Sequence, residues 1–235
     1  MNSNNIKISR FTLRWRQIVW WTLRAILYVW FRMTYRFQAW GGDNIPNSGP
    51  VLLLSNHQSF FDPIIVGLGI NRRRFYAMAR SGLFNNWFFS ALIRTLNAIP
   101  VERGESDIAA MRKCLEALDL NHALLIFPEG TRTDNGTTKH FATGTMLLIK
   151  RSKADVVPVA IEGAYHVWSK TRKYPKLTGR IGVMYGRPLA AKDLIALEPA
   201  EALQKIQDQV EQMRQELNKM LVLPNQSASD SEINR

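Results

Sequence analysis

Short apolar runs alternating with helix-like segments predict an α/β fold, a largely parallel sheet flanked by helices. Three observations carry this reading. Runs at residues 51–55, 75–78, 98–101, 123–127, 156–161 and 181–185 have the length and apolar character of buried strands. Stretches at 63–70, 85–96, 106–119 and 143–151, of helical length, lie between them. At 235 residues the chain is long enough for one such domain plus an appendage, and no internal repeat is evident.

Residues 1–40 form the appendage. They hold Lys7, Arg10, Arg14, Arg16, Arg24, Arg32 and Arg36 without one Asp or Glu, and ten aromatic residues, among them Trp15, Trp20, Trp21, Trp30 and Trp40. The most apolar part, 18–31, is interrupted by Arg24 and falls short of the roughly 20 apolar residues that span a bilayer. Tryptophan and tyrosine favour the headgroup boundary, and arginine can snorkel to phosphates. The segment is therefore read as helix lying in or dipping into an anionic membrane interface. The alternative is an aromatic helix packed on its own domain.

The turn formers at 41–50 (GGDNIPNSGP) mark a boundary, so the α/β domain is assigned to 41–222. The first strand, Val51-Leu52-Leu53-Leu54, runs into Ser55-Asn56-His57-Gln58-Ser59-Phe60-Phe61-Asp62-Pro63. Asp62-Pro63 reads as an N-cap followed by proline in the first helical turn. An imidazole at a strand end and a carboxylate at the next helix thus sit a short loop apart, on the edge of the sheet where α/β folds bind ligands. By itself this pair is also compatible with a loop histidine and a plain helix cap.

Two further strand ends deliver charge. The strand at 98–101 is followed by Glu102-Arg103-Gly104, and the one at 123–127 by Pro128-Glu129-Gly130-Thr131-Arg132. Gly130 permits a turn with positive φ or a close approach to a ligand. Arg103 and Arg132 are suited to clamp a phosphate, because guanidinium offers planar, bidentate donors. An exposed Glu–Arg surface pair is the plainer alternative.

Residues 162–179 are polar, cationic and aromatic, suited equally to lipid headgroups or to water. Leu203, Ile206, Val210, Met213 and Leu217 recur at steps of three and four, an apolar helical stripe expected to dock on the domain. Residues 223–235 read as a frayed tail.

Composition narrows the chemistry. A net charge of +12 suits an anionic partner, whether nucleic acid, membrane or a phosphorylated substrate. Cys114 is the single cysteine, which excludes an intramolecular disulfide, and in its mid-helix setting it reads as structural. His57, His122, His140 and His166 show no spacing of a metal site, so no metal is expected.

With these residues in view, the sequence resembles the glycerolipid acyltransferases of the bacterial lysophosphatidic acid acyltransferase type (1-acylglycerol-3-phosphate O-acyltransferases). The resemblance spans roughly residues 40–190 and rests on four ordered blocks: Asn56–Asp62 on N-H-x4-D, Ile99–Arg103 on a block ending in arginine, Phe127–Arg132 on F-P-E-G-T-R, and Val156–Ile161 on a proline-centred strand. Thr143 departs from the family, which often has lysine there; Lys139 is the nearest substitute. The resemblance implies transfer of a fatty acyl group from acyl-CoA or acyl carrier protein to lysophosphatidic acid, with no cofactor. It implies His57 as general base, Asp62 as its orienting partner, and Arg103, Glu129, Gly130, Thr131 and Arg132 as the binding site for the acceptor's phosphate end. It further implies membrane lipids as surroundings and the cytoplasmic face of the inner membrane as location. Ser59, three residues from His57, is expected to bond backbone rather than act as nucleophile. Rival readings are another acceptor, such as a lysophospholipid or an ornithine-type lipid, a basic nucleic-acid-binding module, and a non-catalytic membrane scaffold. No nucleic-acid motif supports the second, and the intact His57, Asp62 and Glu129–Arg132 argue against the third.

Overall fold

The computed structural model describes residues 10–70, 73, 75–80, 98–101 and 107–222. Its elements are α1 (Arg10–Tyr35), β1 (Gln38–Trp40), β2 (Val51–Ser55), α2 (Asp62–Gly69), β3 (Phe75–Arg80), β4 (Ala98–Val101), α3 (Asp107–Asp119), β5 (Ala123–Ile126), α4 (Gly144–Ser152), β6 (Asp155–Glu162), α5 (Ala164–Trp168), β7 (Gly182–Tyr185), α6 (Ala191–Ile195) and α7 (Pro199–Val222). The helix expected at 85–96, the tail at 223–235 and Arg103 lie outside the described residues.

The strands form one seven-stranded sheet in the order β1-β7-β6-β2-β5-β3-β4. Every pairing is parallel except β6 with β7. This is the predicted, largely parallel sheet, and the reason is visible in β2. All five of its residues are buried, as a central parallel strand covered on both faces requires. Val51 and Leu53 face a core shared with α1, α2 and α5, whereas Leu52 and Leu54 face the core built by α3, α4, α6 and α7. The stripe of α7 docks as expected: Leu203, Ile206, Val210, Met213 and Leu217 are all buried against the second core.

Three expectations change. The packed part of the chain begins before residue 41: Phe31, Tyr35 and Phe37 are fully buried, and β1 joins the sheet beside β7. A three-residue edge strand with a burial pattern of two exposed positions carries too little alternation to read. The helix α1 is therefore double-sided, packed through Phe31 and Tyr35 and open through Ile26, Val29, Trp30 and Met33. Second, Arg24 does not reach outward. Its guanidinium donates to the carbonyls of Leu68 (2.7 Å), Ile70 (2.9 Å) and Gly67 (3.4 Å), which caps the C-terminus of α2. Third, the segment at 162–179, read as facing lipid headgroups or water, partly joins the core: Ala164–Trp168 is helical and buries Val167. No helix among the described residues is long and apolar enough to cross a membrane.

Candidate active site

Register places the site. Leu54 of β2 pairs with Ile126 of β5, and three residues beyond each come His57 and Glu129. The two strand ends therefore release their charged residues side by side at the C-terminal edge of the sheet. Asn56, 1% exposed, governs how the chain leaves β2: its carboxamide donates to the Ile161 carbonyl (2.9 Å) and accepts the Ile161 N–H (2.8 Å). A side chain thus continues the ladder to β6 in place of backbone, which frees the main chain to turn out of the sheet.

The turn that follows is organised around Asp62. Its Oδ2 accepts the backbone N–H groups of Gln58 (2.6 Å) and Ser59 (2.8 Å) and lies 2.7 Å from His57 Nδ1. Asp62 is fully buried, and its Oδ1 has no hydrogen-bond partner among the described residues. The expected N-cap role is corrected here: Asp62 is the first helical residue of α2, Phe61 holds the cap position without a side-chain cap bond, and the carboxylate bonds backward into the loop. Pro63 in the first helical turn leaves no extra orphan N–H.

An acceptor-only carboxylate facing Nδ1 fixes the tautomer. Nδ1 carries the proton, and Nε2 keeps its lone pair on the opposite side of the ring. The ring itself is held flat against Phe127, centroids 4.0 Å apart and planes 17° apart. Ser59 is also accounted for: its hydroxyl donates to the Trp168 carbonyl (2.8 Å) and accepts the Phe61 N–H (3.1 Å), a backbone role as expected.

The Glu129–Arg132 block wraps around this loop. Gly130 sits at φ +67°, the left-handed conformation its lack of a side chain allows. Glu129 Oε1 accepts the His57 N–H (3.1 Å), and the Thr133 N–H donates to the His57 carbonyl (2.8 Å). Burial pushes the Glu129 carboxyl up to about 8, against the pull of the His57 and Lys139 backbone N–H groups. Burial thus works against a negative charge on Glu129 at an edge read as binding phosphate. The Arg132 guanidinium lies over the Phe60 ring, 3.4 Å from its centroid. Lys139 donates to the Arg132 carbonyl (3.3 Å) and pairs with Asp134 (2.5 Å). Asp134 also pairs with Lys170, and hydrogen bonds from these two lysines hold its carboxyl down to about 2.

His57, Asp62, Glu129, Gly130, Thr131 and Arg132 therefore meet at one edge. Sequence reasoning passed over Phe127 as the platform for the imidazole and Gln58 as a ligand of Asp62; both lie inside blocks whose other residues drew attention. Cys114 is 2% exposed, donates to Met78 Sδ (3.1 Å) and has its thiol pushed up to about 11 by burial, consistent with a structural role. Among the described residues, no group of three His, Cys, Asp or Glu is placed to hold a metal ion.

Known proteins resemble this chain over most of its length. The chain is 25% identical over 179 residues to a 1-acyl-sn-glycerol-3-phosphate acyltransferase of Bacillus subtilis, covering 76% of this chain and 86% of that protein. It is 28% identical over 183 residues to the enzyme of that name from Pseudomonas aeruginosa, covering 76% and 66% of the two chains. The crystal structure of the 1-acyl-sn-glycerophosphate acyltransferase PlsC from Thermotoga maritima superposes with a TM-score of 0.76, covering 90% of this chain and 84% of that one at 22% identity, a likeness of fold. The family model described as Acyltransferase matches residues 36–162, a span that takes in more than half of the chain and all four sequence blocks. The chain belongs to the Acyltransferase family.

Proposed function

We propose that this protein transfers a fatty acyl group from an acyl thioester, acyl-CoA or acyl carrier protein, to the sn-2 hydroxyl of lysophosphatidic acid, giving phosphatidic acid. The observation that carries the reading is the His57–Asp62 pair, 2.7 Å apart with the Nδ1 proton fixed, beside a block that ends in Arg132. An alcohol near neutral pH is a poor nucleophile, and an imidazole is suited to take its proton as attack proceeds. The acceptor oxygen bonds to the thioester carbonyl carbon while His57 Nε2 takes the hydroxyl proton. Collapse of the tetrahedral intermediate breaks the C–S bond, and the imidazolium returns the proton to the departing thiolate. Asp62 stabilises the imidazolium between these steps. The thioester is already activated, so no serine or cysteine nucleophile enters the scheme. Arg132 receives the acceptor's phosphate, with Arg103 as a second cation and Gly130 and Thr131 lining the turn.

Both substrates carry acyl chains, and the surface around the site suits a bilayer. Tyr174 and Leu177 are 67% and 86% exposed among Arg172, Lys173 and Lys176. This loop is tied to α1 by the Tyr35 hydroxyl, which donates to the Lys176 carbonyl (3.0 Å). Rings of Trp30, Phe61, Trp168 and Phe60 run in successive contact from α1 to the catalytic loop. Apolar tips among cations fit an anionic lipid surface on the cytoplasmic side of a membrane. Purified protein assayed on a panel of acceptors tests the function. Lysophosphatidic acid should be preferred over lysophosphatidylcholine, an ornithine-type lipid and monoacylglycerol, and equal rates across the panel would contradict a phosphate-reading site.

A further inference from the structure

We propose that Arg214, on the C-terminal helix α7, is a positioning residue for His57, acting through Glu162 and Gln58. The partners of Gln58 force one orientation on its carboxamide. Nε2 faces two acceptors, the Gly136 carbonyl (2.8 Å) and Glu162 Oε2 (3.4 Å), and Oε1 accepts the Tyr165 N–H (3.2 Å). The backbone N–H of the same residue donates to Asp62 Oδ2 (2.6 Å). One residue thus ties the carboxylate of the catalytic pair to the loop after Arg132, to the end of β6 and to the first turn of α5.

The anchor behind Gln58 is ionic. Glu162 is 5% exposed, and a carboxylate at that depth requires a counter-charge. Arg214 supplies it, Nη1 to Oε2 at 2.5 Å, while Glu162 Oε1 accepts the Gly163 N–H (2.9 Å). Arg214 is itself held in a bidentate pair with Glu211, Nε to Oε2 at 2.8 Å and Nη2 to Oε1 at 2.7 Å. Hydrogen bonding to Arg214 holds the Glu211 carboxyl down to about 2. Glu211 Oε2 also accepts the Thr138 hydroxyl (2.7 Å).

These bonds close a ring around residues 133–139. Thr133 N–H is on the His57 carbonyl, Gly136 is on Gln58, and Thr138 is on Glu211. The loop that begins at Arg132 and the loop that carries His57 are thereby fixed to each other and to α7. Their relative placement sets where an acceptor held by its phosphate presents its hydroxyl to Nε2. The role rests on the reading of His57 and Arg132 given above.

Arg214→Met, Arg214→Lys and Thr138→Val test it by amide hydrogen exchange and steady-state kinetics. In Arg214→Met, amides of residues 56–62 and 133–139 should exchange about 10-fold faster while the amides of α7 keep their protection. Turnover at saturating substrates should fall about 10- to 100-fold with the donor KM within about twofold, and Arg214→Lys should recover most of it. Thr138→Val releases one tie only, and should raise the acceptor KM about three- to tenfold with little change in kcat. Wild-type exchange in both loops, or a lower melting temperature with wild-type kcat well below it, would overturn the proposal. Should Arg214→Met not fold, Thr138→Val decides: wild-type exchange at 133–139 and an unchanged acceptor KM overturn it. A wild-type protein that acylates no lysolipid would sink the functional reading instead, and the exchange measurement, which needs no substrate, still judges the relay.

Discussion

Replacing Asp62 by asparagine isolates the charge of the proposed catalytic pair from its shape. Two backbone N–H groups, of Gln58 and Ser59, point at Oδ2, so the asparagine oxygen must take that place and its NH2 the place of Oδ1. The reverse orientation would set NH2 against two donors. The hydrogen bond to His57 Nδ1 survives, and with it the tautomer, but the negative charge is gone. At a contact of 2.7 Å the charge centres of imidazolium and carboxylate lie roughly 4 Å apart. At an effective dielectric of about 20 that attraction is about 4 kcal/mol, a loss of about 10³-fold in kcat. Substrate binding precedes formation of the imidazolium, so both KM values should stay within about threefold. Initial rates at saturating donor and acceptor measure the effect, with thermal melting to confirm folding. A loss under about 10-fold, or one confined to the acceptor KM, would refute the assignment of Asp62 as the stabilising partner.

Glu129→Gln should alter the pH dependence of stability. With the Glu129 carboxyl raised from 4.5 to about 8, the folded state holds a proton that the unfolded chain has released, so stability falls as pH rises through that window and is unaffected below it. Removing the titration should leave the variant about 4–5 kcal/mol more stable than wild type in urea at pH 8.5, with the difference vanishing near pH 4; equal slopes would contradict the burial argument. Asn56→Ala strips both bonds from the Ile161 peptide and should cost about 3 kcal/mol, checked by denaturation, with a cost under about 1 kcal/mol contradicting the ladder role. Arg24→Met uncaps α2 and should lower stability by about 1–2 kcal/mol while leaving vesicle binding unchanged, since its donors are turned to carbonyls. Tyr174→Ser with Leu177→Ser should weaken sedimentation with anionic vesicles about 10-fold or more while turnover of a water-soluble short-chain acceptor is retained; unchanged sedimentation would remove the loop from the membrane surface.

The strands that position the site were legible because buried parallel strands read as unbroken apolar runs, as Val51–Leu54 does, with turn formers before it and β-branched residues recurring through Val156–Ile161. His57 and Asp62 were legible as a pair because loop length alone keeps them near each other. What escaped is what depends on distant partners. Nothing local in Arg24 tells that its acceptors are carbonyls more than 40 residues on, and an arginine among tryptophans reads as an interface residue until the helix end it caps is known. Asp62 before proline has the signature of a cap, yet Oδ2 was already engaged by the loop behind it. Glu129 read as a carboxylate set against phosphate because burial, which shifts its titration, has no sequence pattern. Gln58, Glu162 and Arg214 carry no periodic or motif signal at all, since their bonds span 104 and 52 residues.

In the proposed reaction His57 takes the proton of an acceptor hydroxyl that attacks a thioester directly. The most direct test is the rate at which purified His57→Ala forms phosphatidic acid from lysophosphatidic acid and an acyl thioester, set against wild type by mass spectrometry of the product. A fall of about 10³-fold or more in a variant that folds normally is the expected result. Near-wild-type formation of phosphatidic acid would contradict it.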